Sequence, residues 1–177
     1  CSCISIKKQT LMKVSFTMTD GKNIPVFSLT ELQNTVKRGT SLVGLDIGTK
    51  TVGLAVSDTL WMTATPLKTV FRKSFQYDLD NLAQQLKGRD IGAFVSGLPL
   101  QTDGEAGAQA QYTLEQAQKI ADAFGKPVFF QDERYSSAAV ERTMIDAYDM
   151  SRKKRKQKLD AGAAAFILQT FLDMIAV

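Results

Sequence analysis

The chain contains no histidine, and that absence removes most catalytic mechanisms at once. A Ser-His-Asp or Cys-His relay has no base, and a zinc site has no imidazole ligand. The only two thiols, Cys1 and Cys3, stand at one end, where they neither build a disulfide framework nor complete a zinc site. Cysteine this sparse points to a reducing compartment, so a cytoplasmic location is expected. Long apolar runs are missing too. The most apolar stretch, Ala161 to Val177, is broken by Gln169 and Asp173, so no membrane span or membrane partner is expected. What is left for chemistry near neutral pH is carboxylate and lysine, which makes acids holding a hard metal ion the expected route for any catalysis.

What is present fits a single globular domain with a sizeable core: 177 residues, 44% hydrophobic and 23% charged. The net charge of +4 is unevenly placed. Six basic residues fall within Arg152 to Lys158, and without them 16 basic residues face 18 acidic ones. The basicity is therefore a patch. Arg152, Lys153, Lys154, Arg155 and Lys156 form either a solvated loop or a surface that attracts a phosphate backbone. The first nineteen residues carry Lys7, Lys8 and Lys13 but no acid and show no period. Residues 1–39 are expected to be a partly disordered extension with a short helix near 28–38, where Leu29, Leu32 and Val36 repeat at helical spacing before Gly39. The compact domain is expected to run from 40 to 177.

Within it the periodicities have a clear order. Leu42–Ile47 and Val52–Ser57 read as strands joined by Gly48-Thr49-Lys50, and Leu67–Arg72 as a third, an antiparallel meander. Asp78–Lys87 reads as a helix, Ile91–Ser96 as a strand, Ala108–Phe124 as a helix stopped by Gly125-Lys126-Pro127, and Val128–Gln131 as a strand. Ser136 or Ser137 caps a further helix, and Leu159–Ile175 closes the chain. Three strands, then helix-strand-helix-strand, then helices is the element order of an α/β ribonuclease-H-like domain, a mixed central sheet flanked by helices.

The acids fall where such a sheet would use them. Asp46 interrupts an apolar strand, where an unpartnered charge is costly to bury; a metal ion, a salt bridge or a strand-end hydrogen bond would each satisfy it. Asp132-Glu133-Arg134 directly follows a strand, where acids are also common turn residues. Asp160 opens the last helix, as an N-cap would, yet it shares a stripe with Ala164, Ile167 and Phe171 and so lies in line with the face that packs on the sheet. Acids converging from two strands and a helix suit Mg²⁺ or Mn²⁺, which prefer carboxylate oxygen and water. Two such ions about 3.5–4 Å apart activate water and stabilise a leaving oxygen in phosphodiester hydrolysis.

Four blocks together resemble the YqgF-like family: Leu45-Asp46-Ile47-Gly48-Thr49-Lys50 running on to Asp58, Gly97-Leu98-Pro99-Leu100 with Asp103-Gly104, Asp132-Glu133-Arg134, and Lys158-Leu159-Asp160 before Ala163-Ala164-Ala165. They occur in the family's order and span about 40 to 177. Members are named as pre-16S rRNA nucleases and, earlier, as Holliday junction resolvases. The resemblance implies a ribonuclease-H-like fold, a metal-dependent nuclease, an acidic site of Asp46, Glu133 and Asp160, and Arg134 near the scissile phosphate. Lys50 joins Arg152, Lys153, Lys154, Arg155 and Lys156 as an expected nucleic-acid contact. The expected partner is ribosomal RNA precursor, with branched DNA as the alternative, bound by a monomer or homodimer. Gln101, Tyr135 and Ala161 stand where the family usually has asparagine, leucine and often serine, and none of the three is a metal ligand.

Two rival classes remain open. Asp46-Ile47-Gly48-Thr49-Lys50-Thr51 also resembles the first phosphate loop of the actin and sugar-kinase ATPases, but those need two such domains around a nucleotide. A non-catalytic RNA-binding assembly factor would need only the basic cluster.

Overall fold

The computed structural model describes residues 29–99, 107–132 and 152–176, with side chains from 32 to 99, 107 to 131 and 162 to 176. A short helix α1 (Leu29–Thr35) leads into β1 (Ser41–Ile47), β2 (Thr51–Ser57), β3 (Ala64–Pro66) and β4 (Val70–Phe71). Then follow α2 (Phe75–Leu86), β5 (Ile91–Leu98), α3 (Ala108–Phe124), β6 (Val128–Asp132) and α4 (Arg152–Ile175). The strands make one mixed sheet in the order β3-β2-β1-β5-β6, with β4 also paired to β2. The β1–β2, β2–β3 and β2–β4 pairs are antiparallel, while β5 and β6 run parallel to β1.

Strands β1 and β5 are near-continuous apolar runs because both faces of the sheet are covered. Alternation sorts their side chains into two cores. Val43, Leu45, Ile47, Val52, Leu54, Phe94 and Phe130 meet Leu82 and Leu86 of α2 and Ala117, Ile120 and Ala121 of α3. On the other face Leu42, Ala55, Ala93, Val95 and Phe129 meet Ile167, Leu168, Phe171 and Leu172 of α4, together with Leu32 of α1 and Val36 just after it. Trp61 joins this second core with its backbone at φ 59°; its Nε1 donates to Thr40 O at 2.7 Å and the Arg38 guanidinium lies 4.5 Å over its ring. These contacts tie the segment before β1 to the sheet.

The structure differs from the sequence reading at four places. The third strand is split, because Leu67, Lys68 and Thr69 lie between the Ala55↔Pro66 and Val52↔Val70 pairs opposite only Gly53 and Leu54, so β3 and β4 pair with β2 separately. Helix α2 starts at Phe75 rather than Asp78, since the Ser74 side chain accepts from Tyr77 N and caps the helix there. Strand β5 runs on to Leu98. Helix α4 begins at Arg152, not Leu159. Lys, Arg and Gln are good helix formers, so the basic segment extends the helix rather than forming a loop before it. The helix expected after Ser136 or Ser137 lies outside the described residues.

One close approach governs how α4 seats. A Cβ placed on Gly44 would come within 2.7 Å of the Ala164 carbonyl and 2.8 Å of Leu168 Cβ, so the helix backbone rests directly on β1. Gly44→Ala is expected to push the helix off the strand and to lower stability by about 1–3 kcal/mol, the usual cost of overpacking, seen as a fall of several degrees in the thermal midpoint.

Candidate active site

Asp46 is placed by strand alternation. Val43, Leu45 and Ile47 point towards α2 and α3, which leaves Leu42, Gly44 and Asp46 on the α4 side. Asp46 is half-buried near the carboxyl end of β1 and is not without a partner. Its neighbour across the antiparallel ladder is Gly53, which puts no side chain beside the carboxylate.

The parallel strands end at the same level. Leu45 pairs with Ser96, and Leu98 pairs with Asp132, so the carboxyl ends of β1, β5 and β6 form one edge. In open α/β sheets that edge is where ligands bind. Asp132 is the last residue of β6. Glu133 and Arg134, next in sequence, lie outside the described residues, as does the Asp103-Gly104 loop segment.

Helix α4 brings its own acid towards the same edge. Gln169 accepts from Ala64 N at 2.9 Å and donates to Met62 O at 3.0 Å, which fixes the later half of the helix at the opposite end of the sheet, beside the β2–β3 connection. Ala164 and Leu168 lie over Gly44. From that contact, Asp160 is one helical turn, about 6 Å, towards the N-terminus. Asp46 is two strand residues, about 7 Å, towards the carboxyl end. The two positions therefore advance together from Gly44 and arrive at one end on one face. Asp160 is an interior residue of α4 and not its N-cap, because the helix starts eight residues earlier. Among the described residues no three acids or thiols stand together as a metal site.

Lys50 is exposed in the β1–β2 turn, which is closed by Gly48 N donating to Thr51 O at 2.9 Å. Arg152, Lys153, Lys154, Arg155 and Lys156 form the first turns of α4, a segment without an acid in its first turn. A residue to which the sequence reading gave only a strand position, with no site role, also touches this turn. The Arg72 backbone N–H donates to Lys50 O at 2.9 Å and its Nη1 to Gly48 O at 3.1 Å. Nothing in the local sequence marks Arg72, since its partners come from distant parts of the chain.

The family described as RuvX, Holliday junction resolvase, matches residues 40–174. The chain belongs to this family. A Rhodobacter capsulatus protein named "Putative pre-16S rRNA nuclease" is 48% identical over 136 residues, 77% of this chain and 85% of that protein. A Sphingopyxis alaskensis protein of the same name is 48% identical over 135 residues, 76% of this chain and 88% of its own length. Among solved structures, Thermus thermophilus RuvC in complex with a Holliday junction substrate is 15% identical with a TM-score of 0.48, covering 78% of this chain and 97% of that one. As a RuvX-family fold the architecture is ribonuclease-H-like: an antiparallel meander, two further strands parallel to β1, and helices on both faces. No helix among the described residues is long and apolar enough to cross a membrane.

Proposed function

We propose that this RuvX-family protein is a metal-dependent nuclease that hydrolyses phosphodiester bonds in nucleic acid, with the 5′ end of the 16S ribosomal RNA precursor as its substrate. The observation that carries the reading is the convergence of Asp46, the carboxyl end of β6 and the Asp160 position on one edge of the sheet. The substrate rests on the names of the RuvX relatives. In this reading 40–177 is the catalytic domain and 1–39 an extension, and the protein works in the cytoplasm as a monomer or homodimer.

Asp46, Glu133 and Asp160 are the residues that would hold Mg²⁺ or Mn²⁺. The donor chemistry fits: all three offer carboxylate oxygen, and the chain has no imidazole to favour a softer ion. When bound, such ions lower the pKa of water and offset charge on the leaving oxygen. The chain's own residues do the rest. Arg134, directly after Glu133 in sequence, would offer a non-bridging phosphate oxygen a rigid fork that suits developing negative charge. Lys50 and the basic turns of α4 hold the backbone on either side. Cations at a helix N-terminus oppose the helix dipole, and a bound polyanion relieves that conflict.

The family description favours a second substrate, branched DNA. Labelled RNA precursor and four-way junction DNA, assayed side by side with metal and with chelator, decide between them. Cleavage of the RNA that chelator stops and that Asp46→Asn, Glu133→Gln or Asp160→Asn abolishes supports the proposal. Preferential junction cleavage moves the substrate to DNA. Binding without cleavage of either makes the protein an RNA-binding assembly factor.

Two further outcomes are expected. Arg134→Lys lowers the cleavage rate at saturating substrate by about 10²-fold, as for loss of other preorganised donors, with melting and metal affinity unchanged; early melting with normal turnover when folded would remove Arg134 from the site. Replacing Arg152, Lys153, Lys154, Arg155 and Lys156 by Gln shallows the slope of log affinity against log salt, because fewer counterions are released, while cleavage at saturating substrate persists. An unchanged slope would make the basic turns a plain solvated surface.

A further inference from the structure

Arg72 sits where β4 ends, and its side chain is only 12% exposed. Its guanidinium uses the whole fork. Nε donates to Asp78 Oδ2 at 2.9 Å on α2, Nη1 to Gly48 O at 3.1 Å and to the Tyr112 hydroxyl on α3, and Nη2 to Gln116 Oε1 at 2.6 Å, also on α3. The same guanidinium lies 5.7 Å from the Tyr112 ring centre. Asp78 is held in turn, accepting from Lys73 N at 3.3 Å with its side chain 3% exposed. Neutralising Asp78 would need only one cation, and packing α2 and α3 on the sheet needs none, because Leu82, Leu86, Ile120 and Ala121 do that.

The remaining contacts have a different target. Gly48 O and Lys50 O, which accept from Arg72 Nη1 and Arg72 N, are both carbonyls of the turn that leaves β1. Gly48 follows Asp46 by two residues, and the Asp46↔Gly53 and Ile47↔Val52 pairs join that turn rigidly to the strand end. An anchor on α2 and α3, across the sheet from Asp46, thereby fixes where the turn lies.

We propose that Arg72 is a positioning residue of the active site: its guanidinium grips Gly48 O, beside the main-chain bond from its N–H to Lys50 O, and so holds the β1–β2 turn with Asp46 and Lys50 in the geometry needed for metal and phosphate. The inference rests on the assignment of Asp46 and Lys50 made above. A lysine cannot replace the fork, since a single ammonium does not reach carbonyl, carboxylate, phenol and amide acceptors in one plane.

The test uses the full chain and compares Arg72→Lys with Ile120→Val, a core change that loosens α3 without touching the turn. Thermal melting, Mn²⁺ affinity by calorimetry with the metal alone, and kcat and KM on labelled RNA precursor are measured for each. Arg72→Lys is expected to weaken Mn²⁺ binding by about 10–100-fold, as loss of a group that orients a metal ligand does, and to lower kcat more than it raises KM. Ile120→Val is expected to lower melting alone. If Arg72→Lys does not fold, Arg72→Gln combined with Asp78→Asn, which leaves no buried charge unpaired, takes its place with the same readouts. Melting lowered with Mn²⁺ affinity and kcat unchanged would overturn the positioning role and leave the site assignment standing. A wild-type protein that neither binds Mn²⁺ nor cleaves overturns the site assignment itself, and the inference with it.

Discussion

The contact between Gly44 and the backbone of α4 is the constraint on which the site depends. With any Cβ at that position the Ala164 carbonyl and Leu168 would have to retreat, and the helix would pack at an ordinary distance. The surrounding residues support the close approach: Ala55 and Ala93 on the sheet and Ala164 on the helix are small and fully buried. Because strand and helix touch at one point, the distance travelled along each from that point decides what meets. About 7 Å along β1 leads to Asp46 and about 6 Å along α4 leads to Asp160. A different seating of one turn would leave the two acids at different levels.

Bringing like charges to one edge has a cost that the core must exceed. Two carboxylates 4 Å apart repel by about 4 kcal/mol at an effective dielectric of 20. Against this, Ile167, Leu168, Phe171 and Leu172 are buried to within 3% exposure, and each contributes about 1.5–3 kcal/mol by leaving water. The four together exceed that repulsion, so the packing of α4 on the sheet can tolerate two acids at one edge. Under the proposed function, removing one carboxylate charge should therefore not unfold the domain.

Much of this was legible in the residues. Asp46 stood out because it broke an apolar strand, and the stripe of Ala164, Ile167 and Phe171 correctly gave the buried face of α4. The start of α4 was not legible, because Arg152 to Lys158 carries no apolar residue and hydrophobic periodicity has nothing to register there. Asp160 therefore read as the opening of the helix, with a cap as one of its two readings, although it lies inside the helix. The break between β3 and β4 comes from one extra residue, Leu67 to Thr69 being set against Gly53 and Leu54 of β2, which is settled by pairing between strands and not by local sequence. Arg72 was invisible for a related reason: Gly48, Asp78, Tyr112 and Gln116 become neighbours only after the sheet forms. Glu133 and Arg134 were singled out by resemblance to the family.

The extra length of α4 fixes where its charged end lies, as a loop would not. Helix and strand are aligned at Gly44 and Ala164, and β1 continues for only three residues, about 10 Å, beyond that contact. Seven helical residues cover the same distance, so the helix passes the end of the strand near Gln157. The segment from Arg152 to Lys156 thus overhangs the edge where the parallel strands end. One continuous helix carries the core contact, the acid and the basic turns in sequence. Under the proposed function, a phosphate backbone drawn to those turns would lie across the carboxyl edge of the sheet, so electrostatic capture and alignment with Asp46 would be set by the same helix.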